Sequence, residues 1–99
     1  MNHELGHFLD AQERLKQLPA RRKMKLKAIA YLAGKFEAEK PYAEREVNEV
    51  LNRWHTFGDP ATLRRELYQL GFLDRTADGR EYRLAQPQPT LEELEKRYG

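Results

Sequence analysis

Cysteine is absent from the 99 residues, which excludes disulfides and thiolate zinc sites. No stretch approaches the roughly 20 apolar residues a membrane helix needs. The first residues hold no apolar signal-peptide core. A cytoplasmic protein of bacterial or archaeal type, without a membrane partner, is therefore expected. Net charge is also small: it is formally only +2, which does not by itself announce a nucleic-acid partner. One local absence says more. Between Ala20 and Phe36 there is no acid, while Arg21, Arg22, Lys23, Lys25, Lys27 and Lys35 are all basic. The rest of the chain is net acidic. A chain of this length makes one small domain and buries roughly 60–70% of its unfolded surface. No internal repeat or low-complexity tract interrupts it.

The stretch DAQERLKQL is made of good helix formers, and Asp10 followed by Glu13 has capping-box spacing. A short helix ending before Pro19 is expected there. Pro19 stands at the entry of a second helix, roughly 20–36. On it Met24, Ala28, Ile29, Tyr31, Leu32 and Phe36 share one side, with Lys23, Lys27 and Ala30 opposite. Pro41 biases Lys40 toward extended backbone, and Tyr42 suits a very short strand. A third helix, about 43–55, gathers Ala43, Val47, Val50, Leu51 and Trp54 on one face. HTFGDP is a turn in which Asp59 is a good N-cap and Pro60 suits the first helical position. The helix that follows, about 60–70, buries Leu63, Leu67 and Leu70, and Gly71 is the expected residue past its end. FLDRTADGREYRL reads as two short strands around Ala77-Asp78-Gly79. PQP at 87–89 is a stiff extended linker, and TLEELEKRYG is a final short helix with a Thr90–Glu93 capping box.

The fold class is thus mainly α with a small β hairpin (α+β). The order of elements is that of a winged helix-turn-helix with an extra N-terminal and an extra C-terminal helix. The chain divides into an N-terminal arm (1–9), a winged-helix-like domain (10–85) and a Pro-containing linker with the C-terminal helix (86–99).

From Phe8 to Leu84 the segments FLDAQERLKQLP, YAEREVNEVLNRWH, DPATLRRELYQLGFLDR and GREYRL carry a resemblance. The specific cluster is E-V-N, then L-R-R-E-L, then G-x-L-x-R. The chain resembles a prokaryotic domain-of-unknown-function family, number 2087, found alone and at the C-terminus of some transcriptional regulators. The resemblance implies a winged-helix-like fold and a loose link to transcription, and it implies no catalytic residues. Gln12-Glu13-Arg14 stands where such sequences often carry a glycine, so an extended turn is the alternative to a helix at that point.

One motif lies outside the resemblance. His3-Glu4-Leu5-Gly6-His7 matches the H-E-x-x-H pattern of zinc peptidases. That chemistry needs a rigid helix, a third ligand and a strand to align substrate. Chain ends usually fray, and Gly6 weakens a helix by about 1 kcal/mol relative to alanine. His55 is the one other histidine and sits beside a turn; the spacing of Glu37 or Glu39 does not recommend either as a ligand. A solvated N-terminal arm is expected, with no metal and no cofactor.

Arg21, Arg22 and Lys23 occupy the first turn of the basic helix, where cations oppose the helix dipole. Free N–H groups there suit an anion such as a DNA phosphate; the plainer reading is a solvated face. On the 60–70 helix, Ala61, Thr62, Arg64, Arg65, Tyr68 and Gln69 project away from the leucines. Arginine and glutamine can read base edges, while threonine and tyrosine bind phosphates. Against this, Arg64 or Arg65 can fork onto Glu46, Glu49 or Asp59 as a structural arginine, and Glu44, Glu46 and Glu49 would repel DNA if they faced it. The hairpin offers Arg75, Arg80 and Arg83, formally neutralised by Asp74, Asp78 and Glu81. Trp54, Tyr31, Phe36 and Phe72 are core.

These features together predict a non-enzymatic, transcription-associated protein that binds double-stranded DNA. The 60–70 helix would enter the major groove, and Arg21, Arg22, Lys23, Arg75 and Arg80 would hold phosphates. A homodimer is expected, because one short helix reads few bases, with a terminal helix as its interface. The alternative is a protein-interaction module on the same fold, and a zinc peptidase is a distant third.

Overall fold

The computed structural model describes residues 5–98. The elements run in the order α1 (Arg22–Ala33), β1 (Tyr42–Ala43), α2 (Glu44–Trp54), α3 (Pro60–Gln69), β2 (Leu73–Arg75), β3 (Glu81–Leu84) and α4 (Leu91–Tyr98). A single 3-10 turn, Leu5–Phe8, precedes them. The fold is α+β, with a three-stranded antiparallel sheet in the order β1-β3-β2. Tyr42 faces Tyr82 across one ladder, and Leu73 faces Leu84 across the other. This order and topology are compatible with a winged helix.

Local chemistry explains the helix starts. The Asp59 carboxylate accepts the Thr62 N–H at 3.2 Å, and Pro60 needs no amide partner at the first position of α3. Glu46 reaches back to the Ala43 N–H at 2.7 Å, supplying half of a capping box for α2. Thr90 and Glu93 complete both halves for α4. Gly71 leaves α3 with φ of +90°, a conformation that glycine adopts without a Cβ penalty.

The core draws on every helix: Leu26, Ile29, Leu32, Val47, Leu51, Leu63, Leu67 and Leu94 are all buried. α1 packs against both α3 and α4. It therefore buries a wider arc than one stripe, and Leu26 and Ala33, outside the expected face, are buried while Met24 and Tyr31 are only half-buried. Ala43, expected on the buried face of α2, is exposed because it serves in β1 and caps the helix.

The expected N-terminal helix does not form. Over 10–15 the chain makes a tight turn instead. The Asp10 carboxylate accepts the N–H groups of Gln12 at 2.9 Å and Arg14 at 2.8 Å, and Glu13 has φ of +64°. That left-handed residue stops a helix. It also explains why a glycine would suit the position. Leu15 then bridges to Leu9 on one side and His55 on the other. Nor is the whole arm solvated: Leu5 is fully buried and Phe8 packs against the core. His3 and Glu4 of the HELGH motif lie outside the described residues, and His7 is exposed. Among the described residues no cluster of three potential metal ligands occurs.

The linker at 87–89 is tied to the body. The Gln88 side-chain amide donates to the carbonyls of Phe72 and Ala85 at 2.9 and 2.8 Å. α4 is likewise docked, with Leu94 in the core. Its buried apolar side is therefore covered by its own chain rather than left for a dimer. No described helix is long and apolar enough to cross a membrane.

Candidate nucleic-acid interface

The solvent side of α3 is set by the burial of Leu63 and Leu67 on the other side. Ala61, Arg65, Tyr68 and Gln69 are exposed, and Thr62, Arg64 and Glu66 are half-buried. The two neighbouring arginines part ways. Arg64 turns back toward α2, donating to the Asn48 side-chain oxygen and lying 3.9 Å from Glu44. It is a fork between helices, on partners other than the expected Glu46, Glu49 or Asp59. Glu46 is engaged with its own helix start, and Asp59 caps α3. Arg65 is exposed, and its charge helps to hold the Asp59 carboxyl ionised.

Glu66, the acid of this helix, is held by Lys25 of α1 at 2.9 Å. The exposed positions of α3 therefore carry no carboxylate. Glu44, Glu46 and Glu49 of α2 are all exposed.

The hairpin meets α3 at Tyr68. The Arg75 guanidinium sits 4.6 Å from the Tyr68 ring centroid. Hydrogen bonds to the hydroxyls of Tyr82 and then Tyr68 push its pKa above the usual arginine value, so it stays a fixed cation. Arg80 and Arg83 are paired within the hairpin, to Asp78 at 3.8 Å and Glu81 at 3.0 Å. Such exposed pairs are weak, and a phosphate can compete for either arginine. The Asp78 carboxyl is held below its ordinary pKa, first by the Thr76 hydroxyl and then by the Arg80 N–H.

At the start of α1, Arg21 and Lys23 are exposed. Arg22 donates to the carbonyl of Tyr98 and so bridges to the end of α4. Arg22, Lys25, Glu66, Gln69 and Tyr98 line one groove between α1, α3 and α4. The structure thus brings Arg22 beside Gln69 at the C-terminal end of α3. Arg21 is the N-cap residue of α1 and Lys23 lies in its first turn, while Arg80 is on the hairpin.

Two residues to which the sequence analysis gave no role here organise this surface. Asn48, the last residue of the E-V-N cluster, orients Arg64. His55, a buried residue only 4% exposed, closes the turn between α2 and α3. The Asp59 N–H donates to Nε2 at 2.9 Å, and Nδ1 lies 2.6 Å from the Leu51 carbonyl oxygen. A histidine next to a predicted turn was the available signal. The Asp59 carboxyl itself is held below its ordinary pKa, chiefly by hydrogen bonds from the Thr62 side chain and N–H.

No curated protein matches the chain, and no solved structure does either. A family model does, over residues 14–84: it describes an uncharacterized protein conserved in bacteria, DUF2087. That span exceeds half of the sequence and holds α1 to α3 and the whole sheet, so the chain belongs to the DUF2087 family.

Proposed function

We propose that this protein is a non-enzymatic, transcription-associated winged-helix module of the bacterial cytoplasm that binds double-stranded DNA. One observation carries the reading. The exposed face of α3 presents Arg65, Tyr68 and Gln69 without an acid, and Arg75 of the hairpin stands beside it. Arg65 and Gln69 have the hydrogen-bonding groups that read base edges. Arg21, Lys23, Arg75 and Arg80 supply cations for phosphates on either side. Two copies would extend the short contact of one helix, through a surface other than the buried side of α4.

A second reading has its own support. The exposed Glu44, Glu46 and Glu49 on α2 lie on the helix paired with α3. They disfavour a nucleic acid pressed against α2 and would suit a basic protein partner.

Salt titration of binding to random and selected duplexes separates the two. The parent protein should bind at low salt, with affinity falling as salt rises. Arg21→Ala and Lys23→Ala should weaken binding to all sequences alike and reduce the salt slope by about one unit for each phosphate no longer held. Absence of binding by the parent at low salt would refute the DNA reading and favour the protein partner.

A further inference from the structure

We infer that the C-terminal half of α3 reads the bases, Arg65 taking a guanine and Gln69 an adenine about two base-pair steps away. The inference rests on the DNA-binding reading above and adds which bases are read, and by which residues.

Charge separates the two ends of the helix. Its N-terminal end is bordered by carboxylates: Asp59 accepts the Thr62 N–H, and Glu44 lies 3.9 Å from the Arg64 guanidinium. Arg64 is itself held toward α2 by Asn48, which takes it away from any base. A phosphate brought close to this end meets two acids. The C-terminal end has cations nearest its exposed side chains, with Asp74 and Glu81 beside Arg75 in the hairpin. Arg75 lies over Tyr68, and Arg22 and Lys25 line the groove that Gln69 shares. Glu66 is the acid in that groove, and it is joined to Lys25 at 2.9 Å. Arg65 stands between the two ends, near enough to Asp59 to help hold that carboxyl ionised, and Gln69 stands at the end where Arg75, Arg22 and Lys25 lie.

Arg65 and Gln69 are both exposed and one helical turn apart. Four residues of α-helix rise about 6 Å, close to two base-pair steps of about 3.4 Å each. Arginine pairs in bidentate fashion with guanine O6 and N7, and glutamine with adenine N6 and N7. Tyr68 lies under Arg75 and holds helix to hairpin, so it is a positioning residue here rather than a reader. Ala61, one turn before Arg65, is too short to hydrogen-bond a base edge.

The test is enrichment of bound duplexes from a random pool, using the full chain and three variants checked for folding by circular dichroism. The parent should enrich a guanine and an adenine about two base pairs apart. Gln69→Arg should convert the selected adenine to guanine and leave the other position alone. Arg65→Ala should lose roughly 10- to 100-fold of the preference for the first guanine. Asn52→Ala, at an exposed position of α2, should select the parental sequence. The inference fails if Gln69→Arg selects the same sequence as the parent, or if the preference for the first guanine survives Arg65→Ala. Binding without any preference also removes the inference but leaves DNA binding standing. No binding by the parent removes both.

Discussion

The backbone N–H of Asp59 donates to Nε2 of the buried His55, while the opposite ring nitrogen faces the Leu51 carbonyl. A backbone N–H can only donate, so Nε2 is the bare nitrogen and Nδ1 carries the proton. One ring thereby satisfies the end of α2 and the start of the α3 cap. His55→Phe keeps the ring but leaves both backbone groups without a partner. It should destabilise the protein by about 1–3 kcal/mol in denaturant unfolding. Unchanged stability would mean that the turn holds its shape without the ring nitrogens.

Leu67 is fully buried on the inner side of α3, with Leu63 and Val47 also in the core. Leu67→Ala should cost about 2–5 kcal/mol. That is a large part of the total stability of so small a domain. A melting temperature within a degree of the parent would show that α3 packs in another register.

The paired arginines of α3 should separate by the property they affect. Arg64→Ala breaks the link to Asn48 and should lower stability by about 0.5–1.5 kcal/mol. Arg65→Ala, at an exposed position, should change it by less than about 0.5 kcal/mol. Thermal unfolding of the two variants side by side is the measurement. The reverse order would overturn the assignment of Arg64 as the inter-helix fork.

Acid should loosen the start of α3. The Asp59 carboxyl is held below the usual aspartate range, mainly by hydrogen bonds from Thr62. A depressed carboxyl adds stability that is fully present above its unfolded pKa, about 3.9. That stability is lost as pH falls through the folded value. Asp10 and Asp78 shift in the same direction, led by the Arg14 N–H and the Thr76 hydroxyl. Stability should therefore decline below about pH 4. Asp59→Asn should be less stable than the parent at neutral pH, with a shallower acid limb. Parallel acid curves for the two proteins would show that Asp59 contributes nothing through its charge.

The parts of the fold that could be read from sequence are those fixed by neighbours in the chain. Asp59 with Pro60, Thr90 with Glu93, and Gly71 each serve a boundary within three residues of themselves. The segment at 10–15 misled because its letters serve two structures. An aspartate followed by a glutamate three residues on suits a capping box, but an Asp side chain can equally close a turn on its own backbone. The choice was made by Leu15, which the rest of the protein pulls into the core beside His55. The candidate site was legible as a set of outward-facing residues on α3, since the leucine spacing defines the opposite side. What could not be read was which cation is occupied. Arg64 and Arg65 are adjacent in sequence and differ only in the direction each takes relative to α2. That direction depends on how the helices cross.

The Lys35 ammonium lies 3.8 Å from the centroid of the Trp54 ring and 4.5 Å from that of Tyr31. Lys35 follows the end of α1, Trp54 ends α2, and the sequence holds one tryptophan. All indole emission therefore comes from the place where these two helix ends meet, next to a positive charge. Separation of α1 from α2 would remove that charge and admit water to the ring, and the emission would change with both. The molecule carries an optical gauge of this joint without any added label, and Lys35→Met would give the reference signal for a folded protein lacking the charge.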